Sequence, residues 1–288
     1  MKIGYVVLHY QSIKETHECV ESIINILTPE DCIIVVDNCS PNNSGEQLAR
    51  DYKENRQIDI IFSTENVGFA KGNNLGFYRA KYKYKSDFIV LLNNDIIIRQ
   101  NNFREILLLN YQKYGYDIVG PKVLQKNGKV NSSTPSIPLH TSLQRARVGQ
   151  LSNFLRLVLS YINADIVFSN VFDKRNTLNN DLFMSYHEDV QISGCCIIFS
   201  KRYIETYDGL NDNTFMYLEE ILLYIRAKKE KMKIAYDPDL EVIHLEDAAT
   251  NEVFKGRTKE KRQFKYRCQM KSFKVLIAEL KSEQANEN

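Results

Sequence analysis

The sequence predicts an α/β fold built around a parallel sheet. In the first 121 residues, short apolar runs rich in β-branched residues alternate with helical segments of about 10 to 15 residues. The runs are almost continuously apolar, as strands are when helices cover both faces of a sheet. This alternation indicates βαβ units, in which a helix joins consecutive parallel strands.

The elements of this first half follow from the order of apolar runs and turn formers. A buried strand is predicted at residues 2–8, and apolar residues at helical spacing predict a helix over 16–27, ending before Pro29. A second strand at 31–37 leads into the loop NCSPNNSG, where Ser44 is positioned to cap a helix through residue 55. The remaining predicted elements are strands at 58–62, 87–92 and 117–121 and helices ending at 84 and 114.

The pattern loosens between residues 125 and 189, where we expect loops around a helix at 152–162. Such a stretch in an α/β domain is often an insertion near the active site. Regular structure returns with a strand at 192–200 and a helix at 215–231. Two short strands are predicted around Pro238, at 233–236 and 241–245, followed by a basic, partly amphipathic helix at 254–280.

Composition excludes several classes of protein. The chain has 288 residues, 43% hydrophobic and 26% charged, which excludes intrinsic disorder for most of its length. Six cysteines without a C-x-x-C pair argue against a disulfide scaffold and a cysteine zinc site. A net charge of +2 argues against nucleic acid as a partner. No apolar run suits a transmembrane helix or a signal peptide, so a cytoplasmic protein is expected.

The chemistry-bearing residues stand at strand ends. Asp37 and Asp95 end the second and fourth predicted strands, and ligands bind beyond the carboxyl ends of such strands. Dinucleotide, P-loop and common serine-hydrolase motifs are absent from the sequence. The acidic, amide and imidazole residues that remain are, in order, Asp37-Asn38, Asn66 to Asn74, Asn93-Asn94-Asp95, Glu219-Glu220 and His244.

The order and spacing of these pieces resemble an inverting family 2 glycosyltransferase, closest to the bacterial rhamnosyl- and galactosyltransferase-like group that builds surface polysaccharide. The pieces are VVDNCSPNNS, ENVGFAKGNNLG, VLLNNDI, ISGCCIIFSKRYIE, FMYLEEILLYIRAKKEKMKIAYDPDLEVIH and EDAAT. The resemblance implies the GT-A fold, a Rossmann-like α/β domain with a mixed, mostly parallel sheet flanked by helices. It implies a domain over 1–250, with a nucleotide-sugar half at 1–122, a variable insertion at 123–190 and an acceptor half at 191–250. A helical tail follows at 251–288.

The resemblance further implies a divalent metal, Mn²⁺ or Mg²⁺, that eases departure of a nucleoside diphosphate. Asn93-Asn94-Asp95 occupies the place of the family's D-x-D motif, with an amide at its first position. Asp95 is then the direct ligand, Asn93 binds ribose or the metal, and His244 approaches the metal or the diphosphate. An Asx-rich turn is the alternative for Asp95 and Asn94, and a structural histidine for His244.

For the UDP- or dTDP-sugar donor, the resemblance assigns Asp37 to the N–H of uracil or thymine and Tyr10 to the nucleobase. It places Asn66, Gly68, Lys71 and Asn73 on the nucleotide side. Glycines there allow close backbone approach, and a helix N-terminus favours phosphate. The alternatives are a turn cap for Asp37, ordinary packing for Tyr10 and helix capping for Asn73.

An inverting transfer needs one carboxylate to deprotonate the acceptor hydroxyl. By the resemblance, Glu220 is the base, Glu219 hydrogen-bonds the acceptor or orients the site, and Gly194 lies against a sugar. A later aspartate of the family pattern is replaced by Leu222. Two solvated glutamates in a first helical turn are the alternative. Cys195 and Cys196 are interpreted as core residues.

The implied acceptor is a growing glycan or lipid-linked oligosaccharide. The basic C-terminal run predicts either a solvated helix face or peripheral contact with an anionic membrane surface. A homodimer is compatible with the resemblance. Two other functions stay open: a catalytically silent glycan- or partner-binding protein, and a nucleotidyltransferase. A nucleotidyltransferase typically has a glycine-rich loop with arginine or lysine after the first strand. The segment at this place, HYQSIKET, contains no glycine or arginine, which disfavours that function.

Overall fold

The structure, a computed structural model, describes residues 1–130, 135–136, 138, 140–166, 183–245, 254 and 256–287. Within the loops expected between residues 125 and 189, DKRNTLNND and half of residues 131–142 lie outside the described residues, as does the piece EDAAT. Among the described helices, none combines the length and the apolar character that crossing a bilayer requires.

One mixed sheet forms the centre of the described chain. Its strands are β1 Ile3–His9, β2 Cys32–Asp37, β3 Ile58–Phe62, β4 Phe88–Asn93, β5 Ile96–Ile97, β6 Ile118–Gln125, β7 His187–Glu188, β8 Cys196–Phe199 and β9 Ile234–His244. They lie in the order β3-β2-β1-β4-β8-β6-β9-β5, with β7 also paired to β9. The four longest ladders, β1 with β2, β1 with β4, β2 with β3 and β6 with β9, are parallel. The predicted α/β fold with a mixed, mostly parallel sheet is confirmed.

Helices cover both faces of this sheet. They are α1 Ile13–Ile24, α2 Ser44–Asp51, α3 Phe69–Tyr82, α4 Phe103–Tyr114, α5 Leu143–Ser160, α6 Lys201–Thr206, α7 Glu219–Lys229 and α8 Thr258–Glu287. One apolar core joins α1, α2 and α4 to the sheet, and a second joins α3, α6 and α7 to the opposite face. Successive residues of β1 alternate between these cores, as the period of a strand requires. A third, smaller core holds α5 and α8 against α7.

Three predictions about these elements are corrected by the structure. The two strands predicted around Pro238 are one continuous strand, β9, which stays parallel to β6 across a register shift at Pro121–Lys122. Helix α5 begins at Leu143, nine residues before the predicted start at 152, because Ser142 caps it by accepting a hydrogen bond from the Arg145 N–H. The proposed cap at Ser44 is wrong, since Asn43 in the left-handed conformation occupies the N-cap position.

Candidate active site

The predicted strand ends meet at one edge of the sheet. In the ladder registers His9 lies opposite Asp37, and Asn93 lies opposite Leu8. Strand β8 runs antiparallel to β4, so its N-terminal end, preceded by Gly194, reaches the same edge. The edge therefore collects residues from distant parts of the sequence, as parallel α/β sheets do at their ligand sites.

Asp95 and His244 lie together at this edge. The two-residue strand β5 pairs with the end of β9 and sets Ile96 opposite His244. The Leu245 N–H donates to the Asp95 carbonyl at 2.9 Å, which fixes the turn. His244 Nε2 lies 3.3 Å from Asp95 Oδ1, and Asp95 is buried. The structure thus brings the two predicted metal residues into contact.

The chemistry of this pair fits a divalent cation that also binds a ligand. A carboxylate oxygen suits Mg²⁺ and Mn²⁺, and an imidazole nitrogen is a common ligand of first-row metals. Among the described residues, no group of three or more His, Cys, Asp or Glu side chains is placed to hold a metal. Two protein ligands suit a cation whose other positions are filled by water and substrate phosphates.

The two asparagines before Asp95 face different surroundings. Asn94 is buried, and its Nδ2 donates to Thr16 Oγ1 at 2.9 Å and to the Ser12 carbonyl at 3.3 Å. Its side chain therefore secures the start of α1, in line with the structural alternative. Asn93 is half-buried, and its N–H donates to the Cys195 carbonyl at 2.9 Å, which joins β4 to the segment before β8.

Asp37 is held beneath the start of α2. Both of its carboxylate oxygens accept from the Ser40 N–H, at 3.2 and 3.3 Å, as in the turn-cap alternative. A Cβ on Gly45 would lie 2.4 Å from the Asp37 carboxyl carbon, so only glycine fits there. Burial raises the pKa of Asp37, partly opposed by the hydrogen bonds from Ser40.

His9 belongs to a buried polar network that the sequence interpretation missed. Its Nδ1 lies 2.6 Å from Thr16 Oγ1 and its Nε2 lies 2.7 Å from Ser44 Oγ, with Asp37 Oδ1 at 3.9 Å from Nε2. Thr16 in turn binds Asn94. Burial lowers the pKa of His9 to about 4, so the imidazole is neutral at pH 7. The network connects the ends of β1, β2 and β4.

Asn38 is a second residue whose role only the structure reveals. Its Nδ2 donates to Asn66 Oδ1 and to the Gly68 carbonyl, both at 3.1 Å, and its Oδ1 accepts from the Val67 N–H at 3.0 Å. Gly68 has φ of 86°, and a Cβ there would lie 2.2 Å from the Phe215 carbonyl oxygen. The glycine is therefore required both by its backbone conformation and by close packing.

The other predicted nucleotide residues differ in exposure. Lys71 is exposed in the first turn of α3. Asn73 is buried within α3 and donates to the Phe69 carbonyl at 3.0 Å, so it neither caps the helix nor reaches the surface of the edge. Tyr10 is half-buried, in the turn directly after β1.

Glu219 and Glu220 begin α7 after an unusual backbone turn. Tyr217 and Leu218 both have positive φ, 73° and 72°, which costs energy for residues with a Cβ and is typical of functional sites. Glu219 is buried, and its Oε1 accepts from the Thr214 hydroxyl at 2.9 Å. The alternative of two solvated glutamates therefore does not describe Glu219.

The Glu220 carboxylate lies against the backbone of Gly194. A Cβ on Gly194 would lie 2.3 Å from Glu220 Oε1, and the Gly194 N–H hydrogen-bonds the carboxylate. Burial raises the pKa of Glu220, and burial together with the Glu220 charge raises that of Glu219 to about 8. With a pKa of about 8, Glu219 carries a proton at pH 7, and this proton removes one of the two negative charges that the pair would otherwise hold.

Direct contacts run around the edge from the Asp37 side to the Asp95 side. The Phe69 N–H donates to the Phe215 carbonyl at 2.7 Å, and so ties the loop before α3 to the segment before the glutamates. In order, the contacts join Asn38 to Gly68, Phe69 to Phe215, Glu220 to Gly194, Asn93 to Cys195 and Asp95 to His244. Burial raises the pKa of the Cys195 thiol to about 12, which fits its interpretation as a core residue.

The raised pKa of Glu219 predicts a pH-dependent stability. Folded Glu219 holds its proton up to about pH 8, whereas the unfolded side chain loses it near its usual 4.5. The stability that protonated Glu219 contributes to the folded state is therefore fully present below pH 4.5, and it is lost as the pH rises to about 8. We expect the free energy of unfolding of Glu219→Gln to fall less between pH 5 and 8 than that of the parent, by up to about 1 kcal/mol per pH unit.

Urea unfolding of both proteins at several pH values measures this difference. The exposed glutamate of α6, in Glu205→Gln, is the control, and its pH dependence should follow the parent. Parallel curves for Glu219→Gln and the parent would contradict the assignment of the proton to Glu219.

Comparison with known proteins agrees with the fold and adds a family. A protein-family model described as "Glycosyl transferase family 2" matches residues 5–172. Low-salt glycan biosynthesis hexosyltransferase Agl10 of Haloferax volcanii is 24% identical over 84% of this chain and 66% of that protein. Glycosyltransferase GlyG of Streptococcus pneumoniae is 30% identical over 41% of this chain and 37% of that protein. This chain thus spans about two thirds of the first relative and shares about a third of the second.

Solved structures of similar fold include that of residues 1–349 of TarS from S. aureus, with a TM-score of 0.54 and 15% identity over 88% of this chain and 62% of that one. The same protein in complex with UDP-GlcNAc gives a TM-score of 0.53 and 14% identity over 95% of this chain and 73% of that one. At this identity the likeness concerns the fold.

Proposed function

The chain belongs to glycosyl transferase family 2, and from this premise we propose that it is a metal-dependent inverting glycosyltransferase. It transfers a sugar from a UDP- or dTDP-sugar to a growing, lipid-linked cell-surface glycan. The observation that carries the proposal is the Glu219–Glu220 pair, with Glu219 buried and Glu220 against Gly194, at the same sheet edge as Asp95 and His244. Family membership rests on the match over residues 5–172.

The donor nucleotide is proposed to bind between the end of β2 and the loop before α3. Asp37 accepts the imide N–H of the base, and Tyr10 packs near the ring. Asn66, Gly68 and Lys71 border the phosphate side. The close fit of Gly45 on Asp37 and the clamp of Asn38 on the loop support a preorganised pocket. TarS structures of this fold have been solved with UDP and UDP-GlcNAc, which supports a uridine donor.

Asp95 and His244 are proposed to hold Mn²⁺ or Mg²⁺, which when bound neutralises charge developing on the departing diphosphate. The burial of Asp95 favours a strong interaction, since electrostatic effects grow as water is excluded. Asn93, half-buried at the end of β4, is proposed to contact the ribose.

Glu220 is proposed as the general base. An ionised carboxylate beside the Gly194 backbone accepts the proton of the acceptor hydroxyl as that oxygen attacks the anomeric carbon in line. Glu219, protonated and bound to Thr214, keeps the second negative charge off the pair and orients the site.

A catalytically silent protein is the second candidate. One observation favours it: Leu222, at the position of the family's later aspartate, is buried in the apolar cluster between α7 and α8. An apolar side chain packed in the core therefore stands where the family has a carboxylate, and no carboxylate is present at this position. The glutamate pair counts against silence, because raised pKa values on two adjacent carboxyls at a sheet edge are more typical of a functional site than of a structural one.

A thermal-shift panel tests the proposal. UDP-sugars, dTDP-sugars and, as a control, GDP-sugars are added with and without Mn²⁺ or Mg²⁺. A ligand at 100 times its Kd stabilises the folded state by about 2.7 kcal/mol. We expect a metal-dependent rise in Tm with a pyrimidine donor, together with release of nucleoside diphosphate. Binding without release for any acceptor would favour the silent protein, and no rise with any donor would contradict the donor site.

A further inference from the structure

Helix α5 carries a continuous apolar surface that faces away from the protein. Val148, Leu151, Phe154, Leu155 and Val158, followed by Tyr161 and Ile162, are each 43–75% exposed. At about 100° per residue these side chains share one side of the helix. We call these seven residues the α5 stripe. Between 148 and 162, it includes every exposed residue.

The opposite side of α5 explains why the stripe is not simply a badly packed core face. Ala146, Gly149 and Ser160 are buried there. A Cβ on Gly149 would lie 2.6 Å from Phe273 of α8, so the two helices approach closely at this glycine. Helix α5 therefore has a buried face of small residues and an exposed face of large apolar ones. Exposed apolar surfaces of this extent mark interaction sites.

The charges around the α5 stripe are almost all positive. Helix α5 contains three arginines and no aspartate or glutamate, and Asp165, which follows the stripe, is buried against Arg262. Residues 257–281, which include most of α8, contain nine lysines and arginines and two glutamates. Arg145 and Arg147 are exposed in the first turn and a half of α5. At the other end, Arg267 donates to the Tyr161 hydroxyl at 3.1 Å and Lys259 Nζ donates to the Tyr161 carbonyl at 2.8 Å.

We propose that the α5 stripe docks on the surface of an anionic lipid bilayer, with the flanking cations on lipid headgroups. An apolar helical face bordered by arginines and lysines is the composition of interfacial membrane helices. A second copy of this chain is a poorer occupant, because a two-fold contact would oppose the same positive surfaces. The inference rests on the proposed function, because a lipid-linked acceptor lies in a membrane and the α5 stripe would hold the enzyme at that membrane.

The proposal moves the membrane contact predicted for the C-terminal run to a different helix. Three apolar residues of α8, Phe273, Leu276 and Leu280, are buried in the third core. They pack α8 against α5 and α7 and so are not free to enter lipid. Helix α8 instead contributes cations around the stripe, and the insertion contributes the apolar surface.

Flotation of the full chain with vesicles tests the proposal without donor or acceptor. The vesicles are phosphatidylcholine alone and phosphatidylcholine with about one third phosphatidylglycerol. We expect binding to the anionic vesicles that is weakened at least tenfold by Leu151→Gln/Val158→Gln, and weakened by Arg145→Gln/Arg147→Gln and by high salt. The matched control is Leu109→Gln, an equally exposed leucine on α4, which should bind as the parent does.

Failure of the parent to bind anionic vesicles, or equal binding by Leu151→Gln/Val158→Gln, would overturn the proposal. So would a parent dimer, seen by light scattering, that these substitutions convert to a monomer without changing vesicle binding. Donor hydrolysis should be unaffected in the stripe variant. Normal vesicle binding by a chain that shows no rise in Tm with any donor would reject the proposed function and retain the membrane surface.

Discussion

Glu220→Gln is expected to lower kcat for sugar transfer by about 10²- to 10⁴-fold, the range that general-base catalysis contributes. The reason is that glutamine cannot take the acceptor proton, while it keeps the size and most contacts of the side chain beside Gly194. Nucleotide affinity in the thermal-shift assay should stay near that of the parent, because Glu220 is proposed to act on the acceptor. Steady-state kinetics with the preferred donor measures kcat and KM separately.

Glu205→Gln makes the same chemical change at an exposed position of α6 and should retain parent activity. If Glu219→Gln lost as much kcat as Glu220→Gln or more, and Glu220→Gln kept most of its activity, the base would be Glu219. A pH–rate profile adds an independent readout. The raised pKa of Glu220 places the acidic limb of kcat above the usual range of a glutamate.

Asp95→Asn is expected to abolish the metal-dependent rise in Tm and to lower transfer by about 10²- to 10³-fold, since a metal contributes several kcal/mol of charge stabilisation. The amide is isosteric, and the turn is held by the hydrogen bond from the Leu245 N–H to the Asp95 backbone carbonyl, so the fold should persist. The loss therefore reports the charge of the carboxylate.

Titration of Mn²⁺ in the presence of the donor measures the effect. The control is Asp51→Asn, which removes a half-exposed carboxylate of α2 paired with His17. A metal requirement unchanged in Asp95→Asn would mean that Asp95 is a turn residue, as the Asx-rich alternative holds. Loss of the metal-dependent rise in Tm in His244→Ala as well would support Asp95 and His244 as the metal site.

The first half of the fold was predictable because its information is local. Apolar runs of β-branched residues predict β1 to β4 within one or two residues of their observed bounds. The βαβ order then placed Asp37 and Asn93 at one edge. The contact of Asp95 with His244, 149 positions apart, was anticipated only through the family resemblance, because it depends on the pairing of β5 with β9.

What the sequence could not reveal depends on tertiary contacts. His9 looks like an ordinary strand-end histidine until α1 and α2 bring Thr16 and Ser44 to its ring. Asn94 has the residue type of a site ligand, yet its side chain secures α1. The sequence predicts two short strands around Pro238, whereas β9 continues through this proline, opposite the register shift at Pro121–Lys122 of β6.

The single proton of the neutral His9 imidazole can lie on either ring nitrogen, and its position determines the direction of the hydrogen bonds to Thr16 and Ser44. The ring has one proton to donate and one lone pair to receive with, and each hydroxyl beside it has one proton. If Nδ1 carries the proton, Thr16 turns its own proton to the Ser12 carbonyl and Ser44 donates to Nε2. If Nε2 carries it, Thr16 donates to Nδ1 and Ser44 to Asn42 Oδ1. Transfer of the proton from one ring nitrogen to the other therefore reverses the hydroxyls of Thr16 in α1 and Ser44 in α2 together.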